Sequence, residues 1–317
     1  SAWKRAQLAA TLQQRGLEVA VEPVVATPAG ERRRARLSIR RDGDIVEVGF
    51  RARASHTLVD VVVCPLLDPA LEALIAPLRK VAGEVLQRRE EVAVEVALTP
   101  TGIDILLERA NEPTPAQRKT WADFAGRQRV ARIAWRTGAD SAPELLVQLQ
   151  QPSMEFSGIA VDLPPGTFLQ ASATAEAALV AEVLEAAGKA KRAVDLYAGC
   201  GTFALPLLRR ASVHAVERNA AAMAALRKAA GGRLTVEQRD LERRPLQKDD
   251  LKHVDFVVLD PPRAGDRLEA LDDLDPAVVG HPLVEVPADE DREESLPERL
   301  PGPDAVREQG EIGRAHV

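Results

Sequence analysis

The sequence has 317 residues, of which 45% are apolar, and its formal net charge is −6. This length predicts about two domains with hydrophobic cores, and the absence of any run of about 18 apolar residues predicts no membrane span. The first residues, SAWKRAQLAATLQQRG, lack the apolar segment of a signal peptide. Two cysteines and five scattered histidines show neither disulfide nor metal-ligand spacing. We therefore expect a cytoplasmic protein without a metal.

The charge is distributed unevenly along the chain. Residues 264–317 carry 15 acidic and 5 basic residues, which leaves 37 basic and 33 acidic residues in the remainder. This asymmetry favours nucleic acid as a partner of the basic part. The acidic, Pro-rich stretch 264–317 has no periodicity, so we expect it to be a disordered tail. Its end, EIGRAHV, reads like translated adapter sequence, and the tail could therefore be foreign to the natural protein.

The first half of the chain predicts a mixture of helices and mostly antiparallel strands. In chain order, periodicity predicts a helix at 3–16, a hairpin of strands 34–41 and 45–53, a strand at 58–64, a helix at 67–89, a hairpin of strands 91–99 and 102–108, a helix at 115–128, and strands at 130–136, 144–150 and 156–162. Asp68 is the expected N-cap of the helix at 67–89, and Pro77 its expected kink. Residues 1–165, which belong to the basic part of the chain, are therefore predicted to form an α+β domain.

The pattern changes after Pro164-Pro165-Gly166. The predicted elements are a helix at 171–187, a strand at 192–197, a helix at 203–210, a strand at 212–217, a helix at 219–230, and strands at 233–238 and 254–260. Such alternation predicts a Rossmann-like, doubly wound α/β domain, of which residues 166–263 supply the first part.

The segment DLYAGCGTF, residues 195–203, follows the first strand of this second half. Its glycines permit positive φ and a close approach of ligand to backbone, at the edge of the sheet where such folds bind ligands. It is neither a P-loop nor a complete GxGxxG motif. Taken alone, the loop is only weak evidence for a ligand-binding site.

Acidic residues stand at the ends of the next three strands and strengthen the prediction of a ligand-binding site. Glu217 is placed to accept hydrogen bonds from ribose hydroxyls, Asp240 to reach an adenine amino group, and Asp260 in VVLDPPR to face the same crevice. These tips fit a nucleoside ligand without a pyrophosphate. We therefore expect S-adenosyl-L-methionine rather than NAD.

With these motifs the chain resembles the RNA 5-methyluridine methyltransferases, class I enzymes that methylate uracil C5 in tRNA and ribosomal RNA. DLYAGCGTFALPL, HAVERNAAAMAAL, VVLDPPRAG and the upstream GTFLQAS carry the resemblance, with Ser172 where the family has asparagine. RRRARLSIRR, GFRARASH and CPLLDPAL are similar to the ribosomal-RNA branch, which points to 23S ribosomal RNA. The likeness covers roughly residues 3–265.

The resemblance implies residues for the cofactor site. Matched position by position, Gln170, Tyr197, Glu217 and Asp260 would contact S-adenosyl-L-methionine. Gly199, Thr202 and Asp240 would line the same pocket.

The family's reaction also needs a cysteine thiolate that adds to uracil C6, so that C5 can take the methyl group. That cysteine follows the DPPRAG segment in the family, whereas this sequence has no cysteine after Cys200. We assign no catalytic residue, and expect a chain truncated at both ends. Cys200 is interpreted as a small residue in a tight loop, and Cys64 as a buried core residue.

Six of the ten residues at positions 32–41, in the first predicted hairpin and the segment just before it, are arginines: Arg32, Arg33, Arg34, Arg36, Arg40 and Arg41. One interpretation is a solvated face of the hairpin. The other is contact with RNA phosphates, for which we name Arg32, Arg33, Arg34 and Arg36. Trp121 and Phe124, three positions apart on a helix, are expected in the core rather than as a base-stacking platform.

Two alternatives remain. Amino-methyltransferases of RNA or DNA carry a similar Asp-Pro-Pro segment followed by an aromatic residue, whereas Arg263 stands at that position here, which disfavours them. A catalytically inactive RNA- or cofactor-binding remnant is the other alternative. For the favoured function we expect a monomer whose partner is RNA and not a membrane.

Overall fold

A computed structural model of the protein describes residues 2–14, 16, 19–52, 55, 57–139 and 141–261. The predicted tail at 264–317 and Arg263 lie outside the described residues. Within the described part of the chain, no helix is long and apolar enough to cross a membrane.

The first half forms a seven-stranded sheet with the strand order β3-β2-β1-β4-β5-β6-β7. The strands are β1 (Arg34–Asp42), β2 (Ile45–Arg51), β3 (Leu58–Asp60), β4 (Glu90–Thr99), β5 (Gly102–Glu108), β6 (Val130–Arg136) and β7 (Glu144–Gln148), and the helices are α1 (Ala2–Gln14), α2 (Pro69–Glu72), α3 (Ile75–Val85) and α4 (Pro115–Gln128). All neighbouring strands are antiparallel except β5 and β6, which are parallel because α4 crosses between them. The predicted hairpins and the α+β character are confirmed.

Helices α3 and α4 supply apolar side chains to the core of this sheet. Trp121 and Phe124 are both buried and pack edge to face, with ring centroids 5.6 Å apart. They are core residues, as predicted. Cys64 packs against this core as predicted, although it is only partly buried.

The helix predicted at 67–89 is divided in two. Asp68 caps α2 as expected, because its side chain accepts the N–H of Ala70 at 2.8 Å. The two residues between α2 and α3, Ala73 and Leu74, keep right-handed helical φ and ψ values, and the N–H of Ala73 still donates to the carbonyl of Pro69 at 2.9 Å, so the interruption is slight. Pro77 explains the position of the break, because proline has no N–H for the carbonyl four residues earlier and its ring clashes with that carbonyl.

Two predicted strands also differ. The strand predicted at 58–64 ends at Asp60. The strand predicted at 156–162 is instead a hairpin of β8 (Ser153–Phe156) and β9 (Ile159–Asp162). The intervening Ser157 and Gly158 have φ values of 53° and 81°, the left-handed pair that a two-residue hairpin turn requires.

The second half forms a four-stranded parallel sheet with the order β12-β11-β10-β13. Its elements are α5 (Ala173–Ala187), β10 (Arg192–Leu196), α6 (Ala204–Leu207), β11 (Ser212–Glu217), α7 (Ala220–Ala230), β12 (Thr235–Gln238) and β13 (Phe256–Leu259). The predicted doubly wound arrangement is confirmed, although the helix predicted at 203–210 is only the four-residue α6.

The hairpin of β8 and β9 packs with the second half. Met154, Phe156 and Val161 are buried in the same core as α5, β10 and α7. The apolar packing of the second half therefore begins before Pro164, where the sequence pattern changes. The boundary at 165/166 stays a prediction.

Candidate functional site

The loop after β10 is shaped by left-handed backbone. Tyr197, Gly199 and Gly201 have φ values of 60°, 54° and 98°. A Cβ atom on Gly201 would lie 2.6 Å from Cδ1 of Leu226, so packing requires glycine at this position. A Cβ atom on Gly199 would meet no atom within 4 Å. Gly199 therefore borders open space, which fits the close approach of a ligand.

Glu217, at the end of β11, holds this loop. One carboxylate oxygen accepts the backbone N–H of Gly199 at 3.0 Å, and the other accepts the N–H of Asn219 at 2.7 Å. Asn219 in turn caps α7 by accepting the N–H groups of Ala221 and Ala222. Glu217 thus connects the glycine loop to the start of the next helix. The lone pairs that remain on its oxygens can accept hydrogen bonds from hydroxyl groups.

Gln170 and Asp260 meet although 90 residues separate them in the chain. The side-chain amide of Gln170 donates to Oδ2 of Asp260 at 3.4 Å. Gln170 lies just before α5, and Asp260 directly follows β13. The contact therefore brings the segment before the α/β fold to the carboxyl edge of its sheet.

The other predicted cofactor residues lie near the same edge. Tyr197 is half-buried and packs against a small apolar cluster that includes Leu196. Asp240 follows β12 and shapes its turn, because Oδ1 accepts the N–H groups of Glu242 and Arg243. Thr202 is half-buried in the glycine loop.

Asp195 is a residue to which the sequence pattern assigned no role. It is 1% exposed, and neither carboxylate oxygen has a hydrogen-bond partner of ordinary geometry among the described residues. Burial raises the pKa of Asp195 well above its ordinary value, the charges of Asp260 and Glu217 raise it further, and the nearby N–H of Ala204 acts in the opposite direction. Asp195 could have been noticed in the sequence, because it is an acidic residue inside the apolar run AVDLY.

Three carboxyl groups therefore lie near one another at the edge of the parallel sheet. Asp195 lies beneath the loop, and Glu217 and Asp260 lie close enough to affect its titration. Such an arrangement favours a ligand that carries positive charge.

Cys200 is 3% exposed, and its Sγ lies 3.9 Å from Oγ1 of Thr167. Burial raises the pKa of the Cys200 thiol to about 11. The thiolate is the nucleophilic form of cysteine, so at neutral pH almost all of this thiol is in its less reactive, protonated form. The geometry agrees with a small, buried residue within the loop.

The arginines of the first hairpin are largely engaged within the protein. Arg36 pairs with Glu95 and Glu108, and Arg40 pairs with Glu47. The guanidinium of Arg41 donates to the backbone carbonyls of Gly83 and Leu86.

The side chains at positions 32 to 34 differ in exposure. Arg33 is buried and paired with Glu176, so burial argues against its predicted contact with RNA. Arg34 is half-buried, with its guanidinium carbon 4.2 Å from the ring centroid of Phe168. Arg32 is exposed. The assignment of Arg32, Arg34 and Arg36 to RNA stays a prediction.

Comparison with known proteins places these features in context. A family model described as conserved hypothetical protein 95 matches residues 177–316. An uncharacterized RNA methyltransferase of Rhizobium meliloti (strain 1021) is 37% identical over 269 residues, which are 83% of this chain and 63% of that protein. One of Brucella suis biovar 1 (strain 1330) is 36% identical over 275 residues, 85% of this chain and 65% of that protein. This chain thus spans somewhat less than two thirds of these relatives.

A relative with a specific name covers less of the chain. The 23S rRNA (uracil(1939)-C(5))-methyltransferase RlmD of Aeromonas salmonicida (strain A449) is 36% identical over 196 residues, 60% of this chain and 44% of that protein.

A solved structure shares the fold. The crystal structure of the tRNA (uracil-54, C5)-methyltransferase of Pyrococcus abyssi, in complex with S-adenosyl-L-homocysteine, has a TM-score of 0.61 to this chain. It is 22% identical in sequence, and the match covers 84% of this chain and 67% of that one. Both halves described above therefore have a counterpart in a known fold.

Proposed function

We propose that this chain, which is similar to curated RNA methyltransferases over most of its length, belongs to their family, binds S-adenosyl-L-methionine and serves the methylation of uracil C5 in RNA. The cofactor site lies at the carboxyl edge of the parallel sheet. The observation that carries the proposal is the contact between Gln170 and Asp260, which brings the segment before α5 to the same sheet edge as the loop held by Glu217.

The residues at this edge fit the proposed cofactor. Gly199 leaves open space beside a left-handed turn, so ligand atoms can approach the backbone. Glu217 lies at the end of the second strand of the sheet, where an acidic side chain can accept ribose hydroxyls. The nearby carboxyl groups of Glu217 and Asp260 suit the sulfonium and ammonium charges of S-adenosyl-L-methionine.

When bound, S-adenosyl-L-methionine supplies a methyl group on a positively charged sulfur. The work of this chain is to bind and orient it. Glu217 keeps the glycine loop in position, Gln170 and Asp260 border the far side, and Tyr197 offers a ring beside the loop. Asp240 and Thr202 line the remainder of the pocket in this proposal.

Ribosomal RNA is the proposed substrate class. The name of the Aeromonas relative specifies 23S rRNA, and several relatives are named RNA methyltransferases. The exposed Arg32 and the half-exposed Arg36 offer positive charge to phosphates, a contact that is independent of sequence and weakened by salt. The proposed site of action is the cytoplasm.

A second candidate function is favoured by the inertness of Cys200. Covalent activation of uracil requires a reactive thiolate, and the buried Cys200 thiol does not supply one. Cys64 packs against the core of the seven-stranded sheet. The 317-residue chain can therefore act as a cofactor- and RNA-binding unit without transferring a methyl group.

Two measurements separate the candidates. Calorimetry with S-adenosyl-L-homocysteine measures the cofactor site, with Asp260→Asn at the carboxyl end of β13 as the site variant and Asp255→Asn, an exposed residue at the amino end of the same strand, as the control. Transfer of labelled methyl from S-adenosyl-L-methionine to unmodified 23S rRNA, followed by nucleoside mapping, measures the reaction. Label at uracil C5 supports the methyltransferase function. Binding without label supports the second candidate, and no binding overturns the proposed cofactor site.

A further inference from the structure

The segment Phe168–Ala171, which carries Gln170, is not held by the parallel sheet alone. It runs beside the residues that lead into β1. The backbone N–H of Arg33 donates to the carbonyl of Ala171 at 2.8 Å, and a guanidinium N–H of Arg34 donates to the carbonyl of Leu169 at 3.2 Å. One strand of the seven-stranded sheet therefore reaches directly to the proposed cofactor site.

The side chain of Arg33 completes this attachment. Its Nε donates to the backbone carbonyl of Gln170 at 3.1 Å, and its Nη2 donates to Oε2 of Glu176 at 2.6 Å. The two side chains are only 11% and 13% exposed. A single guanidinium thus joins the peptide of Gln170 to the first turn of α5.

Both anchors of Arg33 are fixed. Its own carbonyl accepts the N–H of Leu98 in β4 at 2.7 Å. Glu176 lies in a helix whose N-cap, Ser172, accepts the N–H of Ala175 at 3.1 Å. Burial raises the pKa of Glu176, and the charge of Arg33 offsets part of this rise. The planar fork of arginine suits two acceptors in fixed directions, which a single ammonium group cannot satisfy together.

We propose that Arg33 is a positioning residue, which holds the peptide of Gln170 so that the Gln170 side chain reaches Asp260 and the cofactor pocket keeps its shape. This role replaces the RNA contact predicted for Arg33, and it rests on the proposed function of the Gln170–Asp260 site. Arg33 acts through Gln170 and does not itself touch the ligand.

The test compares three variants of the 317-residue chain with the wild type. Arg33→Met removes the guanidinium but leaves Glu176 buried without its partner, which destabilises the protein for a reason unrelated to positioning. The double variant Arg33→Met/Glu176→Met removes both charges. Arg109→Met is the matched control, because Arg109 forms a buried ion pair with Glu90 at 2.8 Å, with side chains 2% and 15% exposed, inside the seven-stranded sheet.

Three quantities are measured for each protein: the Tm without ligand, the Kd for S-adenosyl-L-homocysteine by calorimetry, and the hydrogen exchange of a peptide covering residues 166–172 without ligand. For the double variant we expect a Tm above that of Arg33→Met, a Kd on the order of tenfold weaker than wild type, and faster exchange in that peptide. For Arg109→Met we expect a lower Tm with an unchanged Kd and unchanged exchange at 166–172.

A purely structural role predicts a different result, in which the double variant recovers both Tm and Kd. That result, or exchange at 166–172 that does not change in the double variant, overturns the proposal. If the wild type does not bind S-adenosyl-L-homocysteine at all, the proposed function fails and the positioning of a cofactor site fails with it. Binding by the wild type together with unaltered Kd in the Arg33 variants refutes the positioning role alone.

Discussion

The carboxylate of Glu217 and the backbone N–H of Gly199 are joined by a 3.0 Å hydrogen bond that spans from the end of β11 to the loop after β10. The residue expected to bind ribose therefore also sets the shape of the loop. These two roles make Glu217 sensitive to substitution in a way that a purely ligand-binding carboxylate is not.

Replacing Glu217 with alanine is expected to weaken binding of S-adenosyl-L-homocysteine by more than tenfold, because a hydrogen bond that involves a charged group contributes about 1.5–3 kcal/mol. Calorimetry measures this change. Glu237→Ala on the next strand is the control, since Glu237 pairs with His214 and Arg239 instead of the loop. Equal loss of affinity in both variants would refute a specific role for Glu217.

The two glycines of the loop are expected to respond differently to alanine. Gly201→Ala should lower the free energy of unfolding by about 1–3 kcal/mol, because its Cβ would lie 2.6 Å from Leu226 in a tightly packed core. Gly199→Ala places its Cβ in open space, so only the strain of a left-handed residue, on the order of 1 kcal/mol, is expected. Urea unfolding measures both values.

Ligand affinity should then separate the same two variants. Gly199→Ala is expected to weaken binding of S-adenosyl-L-homocysteine, because the new methyl group enters the space left for the ligand. A Gly199→Ala protein that binds as well as wild type would mean that the ligand does not approach this peptide.

Alkylation is expected to distinguish the two cysteines. With a pKa of about 11, the Cys200 thiol at pH 8 is ionised in only about one molecule in a thousand, and it is also buried. Iodoacetamide should therefore modify Cys200 far more slowly in the folded protein than in urea, as followed by mass spectrometry of the tryptic peptides. Rapid modification of Cys200 at pH 8 without denaturant would contradict its assignment as an inert residue.

Asp195→Asn is expected to stabilise the protein at neutral pH. Because burial raises the pKa of Asp195 in the folded state above the ordinary value of 3.8, the wild-type group favours folding most at low pH, and this contribution is lost as pH rises through the folded-state pKa. The neutral amide removes that loss, with a gain on the order of 1 kcal/mol. Urea unfolding between pH 4 and about pH 9 should show a flatter profile for the variant, whereas parallel profiles would contradict the prediction.

Much of the fold could be predicted because local periodicity and caps determine it. The strand at 130–136 and the helix at 115–128 were predicted with their observed bounds, since Thr114 and Pro115 give a strong helix start. The break before α3 could not be located from Pro77 alone, because a proline in a helix can kink it or end it.

The site was less predictable than the fold. Strand tips such as Glu217 and Asp260 can be found from the alternating pattern, because parallel strands end at one edge of the sheet. The buried Arg33 could not be distinguished from its exposed neighbours, since six arginines in one hairpin look alike in sequence. Its role depends on Glu176, which lies 143 positions away.

That long separation has a consequence for the order in which the protein is assembled. Contacts between distant positions carry a larger loop-closure entropy than local turns, and proteins dominated by them fold slowly. The ion pair of Arg33 cannot form until Glu176 has been synthesised. The hydrogen bond of Gln170 cannot form until Asp260 has been synthesised, 90 residues later. On the ribosome, the pocket can therefore close only after β13 has emerged. Affinity for S-adenosyl-L-homocysteine would consequently report whether both sheets have finished folding.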